Sequence, residues 1–399
     1  MKRLLPFLTA LLLIGCSAPI TDTPQPTTTT PTEATEITTE VTFAATIPTE
    51  STEVSLETTV PQEFNPYDIV DTLSVEELVG QMFLARCPSD DTAVMHIQTY
   101  HLGGYILFGR DFEAQTPSSV SATIAAYQSA SVIPMLISVD EEGGSVCRVS
   151  GNIAFRENRF LSPRNLFDTG GLELIAETEL EKCQLLCSVG INVNMAPVCD
   201  VTNNPDAFMY SRSLGQSPEI TGQFVETVIS VMSEQSIGCV LKHFPGYGNN
   251  TDTHTGIAID DRSLEELQNA DLVPFQAGIQ AGCDAILVSH TLVNCLDTEF
   301  PASLSPAVVG YLRNEMRFEG VIVTDDLVMQ AITDQYGTGE AAVLAVLAGN
   351  DLLCSSEYPT QYQAVLEAVQ SGRISIGQVR DSAARIIQWK YDLGLLTDF

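Results

Sequence analysis

The sequence has few basic residues, few aromatic residues and little histidine. Its 399 residues include 18 Lys and Arg against 51 Asp and Glu, with five His and one Trp, and the formal net charge is −33. An acidic surface of this kind repels phosphate backbones, so we expect no nucleic-acid partner. The apolar content of 44% is nevertheless ample for a large core.

The N-terminus lacks an apolar run long enough to span a bilayer. Lys2 and Arg3 precede an apolar run of about a dozen residues, which ends in Leu13-Ile14-Gly15-Cys16. This pattern is similar to a bacterial lipoprotein signal, in which the cysteine is lipidated. We therefore predict that residues 1–15 are a signal peptide and that Cys16 anchors the exported protein to the outer face of the cell membrane. An ordinary signal peptide with an incidental cysteine is the alternative.

The segment over residues 16–65 lacks basic residues and has few large apolar ones. Thr, Pro and Glu dominate it. Such a composition cannot bury enough apolar surface to offset the loss of conformational entropy on folding. We therefore predict an extended, disordered linker between the lipidated cysteine and the globular part.

The ten cysteines lack the tight spacing of a disulfide framework or a zinc site. Nine remain after Cys16, an odd number, and most of them stand in apolar runs, so we expect buried free thiols. Cys183 and Cys187 are four residues apart on a predicted helix, but no second pair is placed to complete a tetrahedral zinc site. The sequence thus predicts neither a metal nor an organic cofactor.

Eight short apolar runs alternate with segments of helical periodicity between residues 66 and 399. The predicted strands are Val79–Leu84, Gly104–Phe108, Met135–Val139, Asn192–Ala196, Cys239–Lys242, Ala285–Ser289, Val321–Thr324 and Asp351–Cys354. The predicted helices include Ile175–Ser188, Ile220–Gln235, Leu264–Ala281, Ala307–Arg317, Gly339–Ala348 and Ile376–Leu396, the last packing on the barrel exterior. This alternation predicts a single α/β domain with the (β/α)8 TIM-barrel fold. A doubly wound open sheet is the alternative, but no Gly-x-Gly-x-x-Gly turn follows the first strand.

Chemically useful residues stand at the ends of four of these strands. Asp140 follows the third, Lys242 and His243 close the fifth, His290 follows the sixth and Asp325 follows the seventh. In a parallel barrel the carboxyl ends of the strands form one face, and that face holds the catalytic side chains of such folds. The pattern therefore predicts an enzyme.

A second group of candidate residues follows the Lys-His pair. Residues two apart in an extended chain point the same way, so Asp252 can orient the ring of His254 by a hydrogen bond.

A strand-terminal Asp325 would project into the barrel mouth, where a carboxylate can act as a nucleophile. The neighbouring Asp326 is predicted to be the N-cap of the next helix.

Together these motifs resemble the β-N-acetylglucosaminidase branch of glycoside hydrolase family 3. The resemblance covers about residues 70 to 399. The segments that carry it are GQMF at Gly80–Phe83, GGYILFGRD at Gly103–Asp111, DEEGGSVCR at Asp140–Arg148, NVNMAPVCDV at Asn192–Val201, SRSLG at Ser211–Gly215, KHFPGYG at Lys242–Gly248, DTH at Asp252–His254 and TDD at Thr324–Asp326.

The resemblance implies a role for each matching residue. The family's nucleophile corresponds to Asp325, and its acid/base dyad corresponds to Asp252 and His254. Its substrate-binding positions correspond to Asp140, Arg148, Arg212, Lys242, His243 and His290. The chain ends after one barrel, without the second domain that supplies an acid/base Glu in two-domain β-glucosidases of this family, so His254 is the expected proton donor.

The sequence therefore predicts a retaining exo-acting β-N-acetylglucosaminidase that cleaves terminal non-reducing β-GlcNAc from peptidoglycan fragments or chito-oligosaccharides. Its expected partners are this glycan and, through the lipid, the membrane, and we expect a monomer. A family 3 glycoside phosphorylase or β-glucosidase is one alternative. A catalytically inactive sugar-binding lipoprotein is another.

Overall fold

Eight parallel strands form the centre of the fold in the computed structural model, which describes residues 64–89, 91–248 and 258–397. The strands are β1 Phe83–Arg86, β2 Gly104–Leu107, β3 Leu136–Val139, β4 Val193–Asn194, β5 Gly238–Phe244, β6 Ala285–Val288, β7 Val321–Thr324 and β8 Leu353–Ser355. Their order is β7-β6-β5-β4-β3-β2-β1-β8. A parallel bridge between Val323 and Leu352 joins the two end strands. The predicted (β/α)8 TIM barrel is therefore confirmed.

The strands are short apolar runs because helices cover the outside of the barrel and side chains fill its inside. Every residue of β2, β3, β6 and β7 is buried. Strands that are buried on both faces have no need for polar alternation. Continuous apolar runs such as VIVT in β7 therefore predict most of the barrel strands correctly.

Thirteen α-helices surround the barrel in the described part of the chain. They are α1 Pro66–Val70, α2 Val75–Gln81, α3 Ala93–Tyr100, α4 Pro117–Ala130, α5 Pro163–Ser188, α6 Pro218–Glu234, α7 Leu264–Asn269, α8 Leu272–Gln280, α9 Pro306–Gly310, α10 Gln330–Tyr336, α11 Thr338–Ala348, α12 Tyr358–Gln370 and α13 Ile376–Asp392. Four begin with a Ser or Thr N-cap followed by Pro, which supplies a side-chain acceptor and a preset backbone angle. These pairs are Thr116-Pro117, Ser162-Pro163, Ser217-Pro218 and Ser305-Pro306.

The first predicted strand, Val79–Leu84, is wrong over most of its length. Helix α2 extends to Gln81, and β1 begins only at Phe83. The helix starts with a capping box in which Ser74 and Glu77 each accept a hydrogen bond from the other's backbone N–H, at 3.2 and 2.8 Å. This reciprocal cap favours a helix over the apolar residues that follow it.

The last predicted strand is displaced for an electrostatic reason. Asp351, its predicted first residue, lies before β8 with its carboxylate buried. That carboxylate accepts hydrogen bonds from the guanidinium groups of Arg313 and Arg385, and from the backbone N–H of Ile322 at 2.9 Å. Asp351 therefore fixes the amino-terminal ends of β7 and β8 to the surrounding helices.

Helix α13 packs on the exterior of the barrel, as predicted, against α1, α2 and β7. Its Lys390 is completely buried, and its Nζ donates to Oε1 of Gln81 at 2.7 Å. Burial lowers the pKa of Lys390 from 10.5 to about 7. No helix among the described residues is long and apolar enough to cross a membrane.

Two small pairs of strands extend the carboxyl end of the barrel. Glu141–Gly143 pairs with Val146–Cys147 in an antiparallel hairpin directly after β3. Ile259–Asp260 pairs in parallel with Leu292–Val293, which follows β6. These additions build up the rim around the barrel mouth.

Candidate active site

A cavity of about 460 Å³ opens at the carboxyl ends of the barrel strands. Six of the predicted site residues line it: Asp140, Arg148, Arg212, Lys242, His243 and Asp325. They come from segments that are far apart in the sequence, and the barrel brings them together at one end, as parallel strands require. Apolar side chains complete the wall, among them those of Phe108, Met195, Phe208 and Tyr247.

Lys242 is the centre of an ionic network beneath the cavity. Its Nζ lies 2.6 Å from Oδ1 of Asp140 and 2.6 Å from Oε1 of Glu142. Burial opposes the charged ammonium, but the two carboxylates outweigh this effect and raise the pKa of Lys242. Lys242 therefore stays charged and fixes the position of Asp140, whose side chain keeps 16% of its surface exposed.

Glu142 was missed by the sequence reasoning and is the buried partner of two cations. Arg212 binds it through two bonds, Nη2 to Oε1 at 2.7 Å and Nε to Oε2 at 2.9 Å. Burial favours the neutral acid, but Lys242 and Arg212 hold the pKa of Glu142 well below its usual range. One feature of the sequence could have identified Glu142 as a site residue. It lies in DEEGG two residues after Asp140, and residues two apart in an extended chain point to the same side.

His243 is oriented from both sides of its ring. Nδ1 lies 2.8 Å from Oδ2 of Asp200, and Nε2 lies 3.2 Å from Nη2 of Arg212. A guanidinium can only donate, so Nε2 accepts and the proton of the neutral ring belongs on Nδ1, where Asp200 accepts it. Asp200 also accepts from the backbone N–H of Tyr247 at 2.7 Å. The sequence reasoning did not identify Asp200, although it ends the motif NVNMAPVCD.

Asp325 lies directly after β7 and is half-buried at the cavity wall. Its backbone N–H donates to the carbonyl of Val288 at 3.0 Å, which continues the pairing with β6. Its Oδ1 accepts from the N–H of Asp326 at 2.9 Å. The carboxylate is thus held on a rigid strand end while it faces the cavity.

Asp326 supports the segment behind Asp325 in an unpredicted way. Its Oδ1 accepts from the backbone N–H groups of Val328 at 3.2 Å and Ser356 at 3.0 Å. Helix α10 begins only at Gln330, with Met329 at the N-cap position. The prediction that Asp326 caps this helix is therefore wrong, because its side chain binds a turn and the residue after β8.

His290 does not line the cavity, unlike the other predicted substrate-binding residues. It is completely buried, with Nδ1 2.7 Å from Oγ of Ser303 and Nε2 3.0 Å from the carbonyl oxygen of Asp326. Both ring nitrogens face protein groups, so the structure places His290 behind the segment that holds Asp325. Its expected contact with substrate stays a prediction, while these bonds give it a supporting role for the segment that holds Asp325.

Three predicted residues lie outside the described part of the chain. They are Cys16, Asp252 and His254. The described residues that flank the predicted acid/base pair are Gly248, in the turn after β5, and Ala258, before the strand Ile259–Asp260. Within the described ranges, no group of three or more His, Cys, Asp or Glu side chains is placed to hold a metal ion.

The sequence matches a known enzyme family over most of its globular part. Residues 74–389 match the glycosyl hydrolase family 3 N-terminal domain. The chain is 30% identical over 336 residues to the β-hexosaminidase LpqI of Mycobacterium tuberculosis, covering 82% of this chain and 85% of that protein. It is 33% identical over 311 residues to a β-hexosaminidase of Stenotrophomonas maltophilia, covering 74% and 88% respectively.

A solved structure shows the same fold. It is a glycoside hydrolase family 3 β-N-acetylglucosaminidase from Paenibacillus, with a TM-score of 0.76 and 33% sequence identity. The match covers 81% of this chain and 63% of the Paenibacillus chain, so this chain spans just under two thirds of that relative. The chain therefore belongs to glycoside hydrolase family 3, where its relatives are β-hexosaminidases, as the sequence motifs predicted.

Proposed function

We propose that the protein is a retaining, exo-acting β-N-acetylglucosaminidase that removes terminal non-reducing β-linked GlcNAc from peptidoglycan fragments or chito-oligosaccharides. The observation that carries this proposal is the carboxylate of Asp325 at the end of β7, facing a cavity with fixed charges. The names of the relatives support the choice of sugar. A nucleophilic carboxylate in such a cavity fits a double-displacement mechanism.

In the proposed reaction Asp325 attacks the anomeric carbon and forms a glycosyl-Asp intermediate. His254 donates a proton to the departing oxygen, and Asp252 orients its ring. The same histidine then takes a proton from water, which releases the sugar and restores the carboxylate. The hydrogen bond from the Asp326 N–H to Oδ1 of Asp325 holds the carboxylate in place for this attack.

Asp140, Arg148 and Arg212 are the more accessible polar groups of the network for binding sugar hydroxyls. Their side chains retain 16%, 32% and 15% of their surface, whereas those of Lys242 and His243 retain 3% and 8%. We therefore assign the direct sugar contacts to Asp140, Arg148 and Arg212. Lys242 and His243 hold these groups in place and reach the substrate only from the base of the cavity.

The direct test compares p-nitrophenyl glycosides of β-GlcNAc, β-glucose and β-xylose. We expect efficient release of p-nitrophenol from the GlcNAc glycoside with β-configured GlcNAc as the first product. A preference for glucose or xylose would contradict the sugar assignment, and an α-configured first product would contradict retention. Glycosyl phosphate in place of free sugar, with phosphate present, would identify a phosphorylase.

We further propose that the protein is exported and anchored by a lipid on Cys16. The support is the sequence of residues 1–16 alone. Because the lipid would be attached outside the barrel, Cys16→Ser should move the protein from the membrane fraction to the soluble fraction with unchanged specific activity. A variant that remains entirely in the membrane pellet would contradict the anchor.

A further inference from the structure

Arg86 is a cation in the cavity that forms no hydrogen bond or ion pair with the described residues, and the nearby Asp111 carboxylate acts on it only electrostatically. It is the last residue of β1 and lines the same cavity as Asp140 and Asp325. Its guanidinium carbon lies 4.5 Å from the ring centroid of Phe108. Within the described residues it forms no ion pair or hydrogen bond, and its Nε is buried without a partner. Stacking fixes the plane of the guanidinium but satisfies none of its five N–H donors.

A second guanidinium contacts the same phenyl ring. Arg148 has its guanidinium carbon 5.6 Å from the centroid of Phe108. Its Nη2 lies 3.4 Å from Oδ2 of Asp140, a long contact, and its Nε is also buried without a partner. Asp140 is already held by Lys242 at 2.6 Å, so it compensates Arg148 only partly.

Another arginine in this chain shows that stacking does not by itself leave donors unused. The guanidinium of Arg156 stacks on Phe160 at 4.2 Å, close to the geometry of Arg86. Its Nε and Nη2 nevertheless donate to Glu181 at 2.9 and 3.1 Å.

Arg164 stacks on Tyr210 at 4.1 Å, and its Nε is also buried without a partner. Its Nη2 nevertheless donates to the carbonyl of Thr202 at 3.1 Å and to Oγ of Ser213 at 3.3 Å. Arg86 differs from both of these stacked arginines because it faces the cavity and donates to no described group, which indicates a ligand.

We propose that Arg86, Phe108 and Arg148 form an oxyanion-binding subsite inside the candidate catalytic cavity. The ligand is a carboxylate carried by the glycoside or a free phosphate ion, since planar guanidinium forks match both groups. The proposal rests on the proposed function, because it refines the class of substrate or acceptor used at that site. Partial burial strengthens such a contact, because water competes less well for the anion.

The two sources of the anion have different chemical consequences. A carboxylate on the leaving sugar would bind before cleavage and raise kcat/KM for an acidic disaccharide. A free phosphate would instead attack the anomeric carbon of the glycosyl-Asp325 intermediate. The bond from that carbon to the Asp325 oxygen would break, giving a sugar 1-phosphate and the free carboxylate, and His254 would not need to deprotonate water.

The carboxylate is tested with two disaccharides that differ in one group. One is N,N′-diacetylchitobiose, and the other is its aldonic acid, in which the reducing end is oxidised to a carboxylate. We expect the wild type to prefer the acid. Arg86→Met, which keeps an apolar chain over Phe108, should reduce the ratio of the two kcat/KM values about tenfold or more. The matched variant Arg156→Met should retain the wild-type ratio.

The free ion is tested by titrating inorganic phosphate into the wild type and both variants by calorimetry, with product analysis in phosphate buffer. Weaker phosphate binding by about tenfold or more in Arg86→Met alone supports the subsite, and sugar 1-phosphate identifies phosphate as the acceptor. The subsite is overturned if the wild type neither prefers the acid nor binds phosphate. It is also overturned if Arg86→Met has the wild-type ratio of kcat/KM values and the wild-type affinity for phosphate. Phosphate binding through Arg86 without cleavage of any β-GlcNAc glycoside would overturn the proposed function and leave the subsite standing.

Discussion

The two ends of the barrel both contain buried ion clusters, but they differ in what the charges face. At the carboxyl end, Lys242 and Arg212 hold Asp140 and Glu142 beneath an open cavity, and Asp140 keeps part of its surface exposed. At the amino end, Asp351 is 1% exposed and is surrounded by donors. These are Arg313, Arg385, the hydroxyl of Ser382 and the N–H of Ile322.

This difference separates a structural ion cluster from a functional one. A carboxylate whose lone pairs are all used by protein donors has no capacity left for a ligand. A carboxylate that is fixed from one side and open on the other can bind one. Both ends contain paired charges, so the exposure of the carboxylate distinguishes them, with 16% of the side-chain surface for Asp140 against 1% for Asp351. The comparison can be tested by mutating matched residues at the two ends.

The largest effect is expected for Asp325→Asn at the carboxyl end. The asparagine oxygen can still accept from the N–H of Asp326, so the fold should be retained while the proposed nucleophile is lost. We expect kcat on p-nitrophenyl β-GlcNAc to fall by several orders of magnitude. Thermal unfolding should stay near that of the wild type. A variant with more than about a tenth of wild-type activity, a loss below about 1.4 kcal/mol, would contradict the assignment.

Asp351→Asn at the amino end should lower stability and leave activity unchanged, the opposite of Asp325→Asn. It leaves two guanidinium groups without a carboxylate, so we expect a loss of about 3–5 kcal/mol in the free energy of unfolding. Because Asp351 does not face the cavity, kcat/KM of the folded fraction should equal that of the wild type. Denaturant unfolding combined with active-site titration measures both quantities. A large loss of kcat/KM per folded molecule would contradict the separation of the two ends.

Glu142→Gln beneath the cavity is the counterpart of Asp351→Asn, because it also replaces a buried carboxylate by its amide. It removes the carboxylate charge that Lys242 and Arg212 share, so both cations depend more strongly on Asp140. We expect a loss of stability similar to that of Asp351→Asn, together with a fall of kcat/KM by about tenfold or more. If stability falls and kcat/KM does not, Glu142 serves only the fold.

The sequence identified most of the barrel and the catalytic end because both depend on local patterns. Buried parallel strands are continuous apolar runs, and their carboxyl ends must share one face, so the pattern of residues alone places Asp140, Lys242 and Asp325 together. Glu142 and Asp200 could not be assigned in the same way. Their importance depends on which cations lie opposite them, and those cations come from distant strands.

The errors have equally specific causes. The first predicted strand begins too early because the apolar run after Ser74 contains the end of a capped helix as well as a strand. His290 is a substrate-binding candidate by resemblance to the family, and the structure places its ring against Ser303 and the Asp326 carbonyl. The position of a residue along a strand does not determine the direction of its side chain after the strand has ended.

An effect on the pH dependence of stability alone is expected for Lys390 at the amino end. Its pKa in the folded protein is about 7, against 10.5 for an ordinary lysine. Between these values the unfolded chain binds more protons than the native protein, so the free energy of unfolding should rise with pH, by about 1.4 kcal/mol per unit at most. Below pH 7 Lys390 is protonated in both the folded and the unfolded protein, so the full cost of burying its charge lowers the free energy of unfolding.

Lys390→Met should remove this pH dependence. We expect the variant to gain stability relative to the wild type at pH 6 to 7, and the gain to shrink as pH rises towards about 10. Its activity should be unchanged, because Lys390 lies at the end opposite the cavity. Denaturant titrations at a series of pH values measure the difference. A constant difference between the two proteins across this range would contradict the lowered pKa.

The central claim is that Asp325 becomes covalently bonded to the sugar and that His254 supplies and removes the protons. The most direct measurement is intact-protein and peptide mass spectrometry of His254→Ala mixed with 2,4-dinitrophenyl β-GlcNAc, whose leaving group needs no protonation. We predict a glycosyl adduct on the peptide that contains Asp325, which azide removes with formation of the β-glycosyl azide. Rapid turnover without an adduct, or an adduct on another residue, would contradict the account.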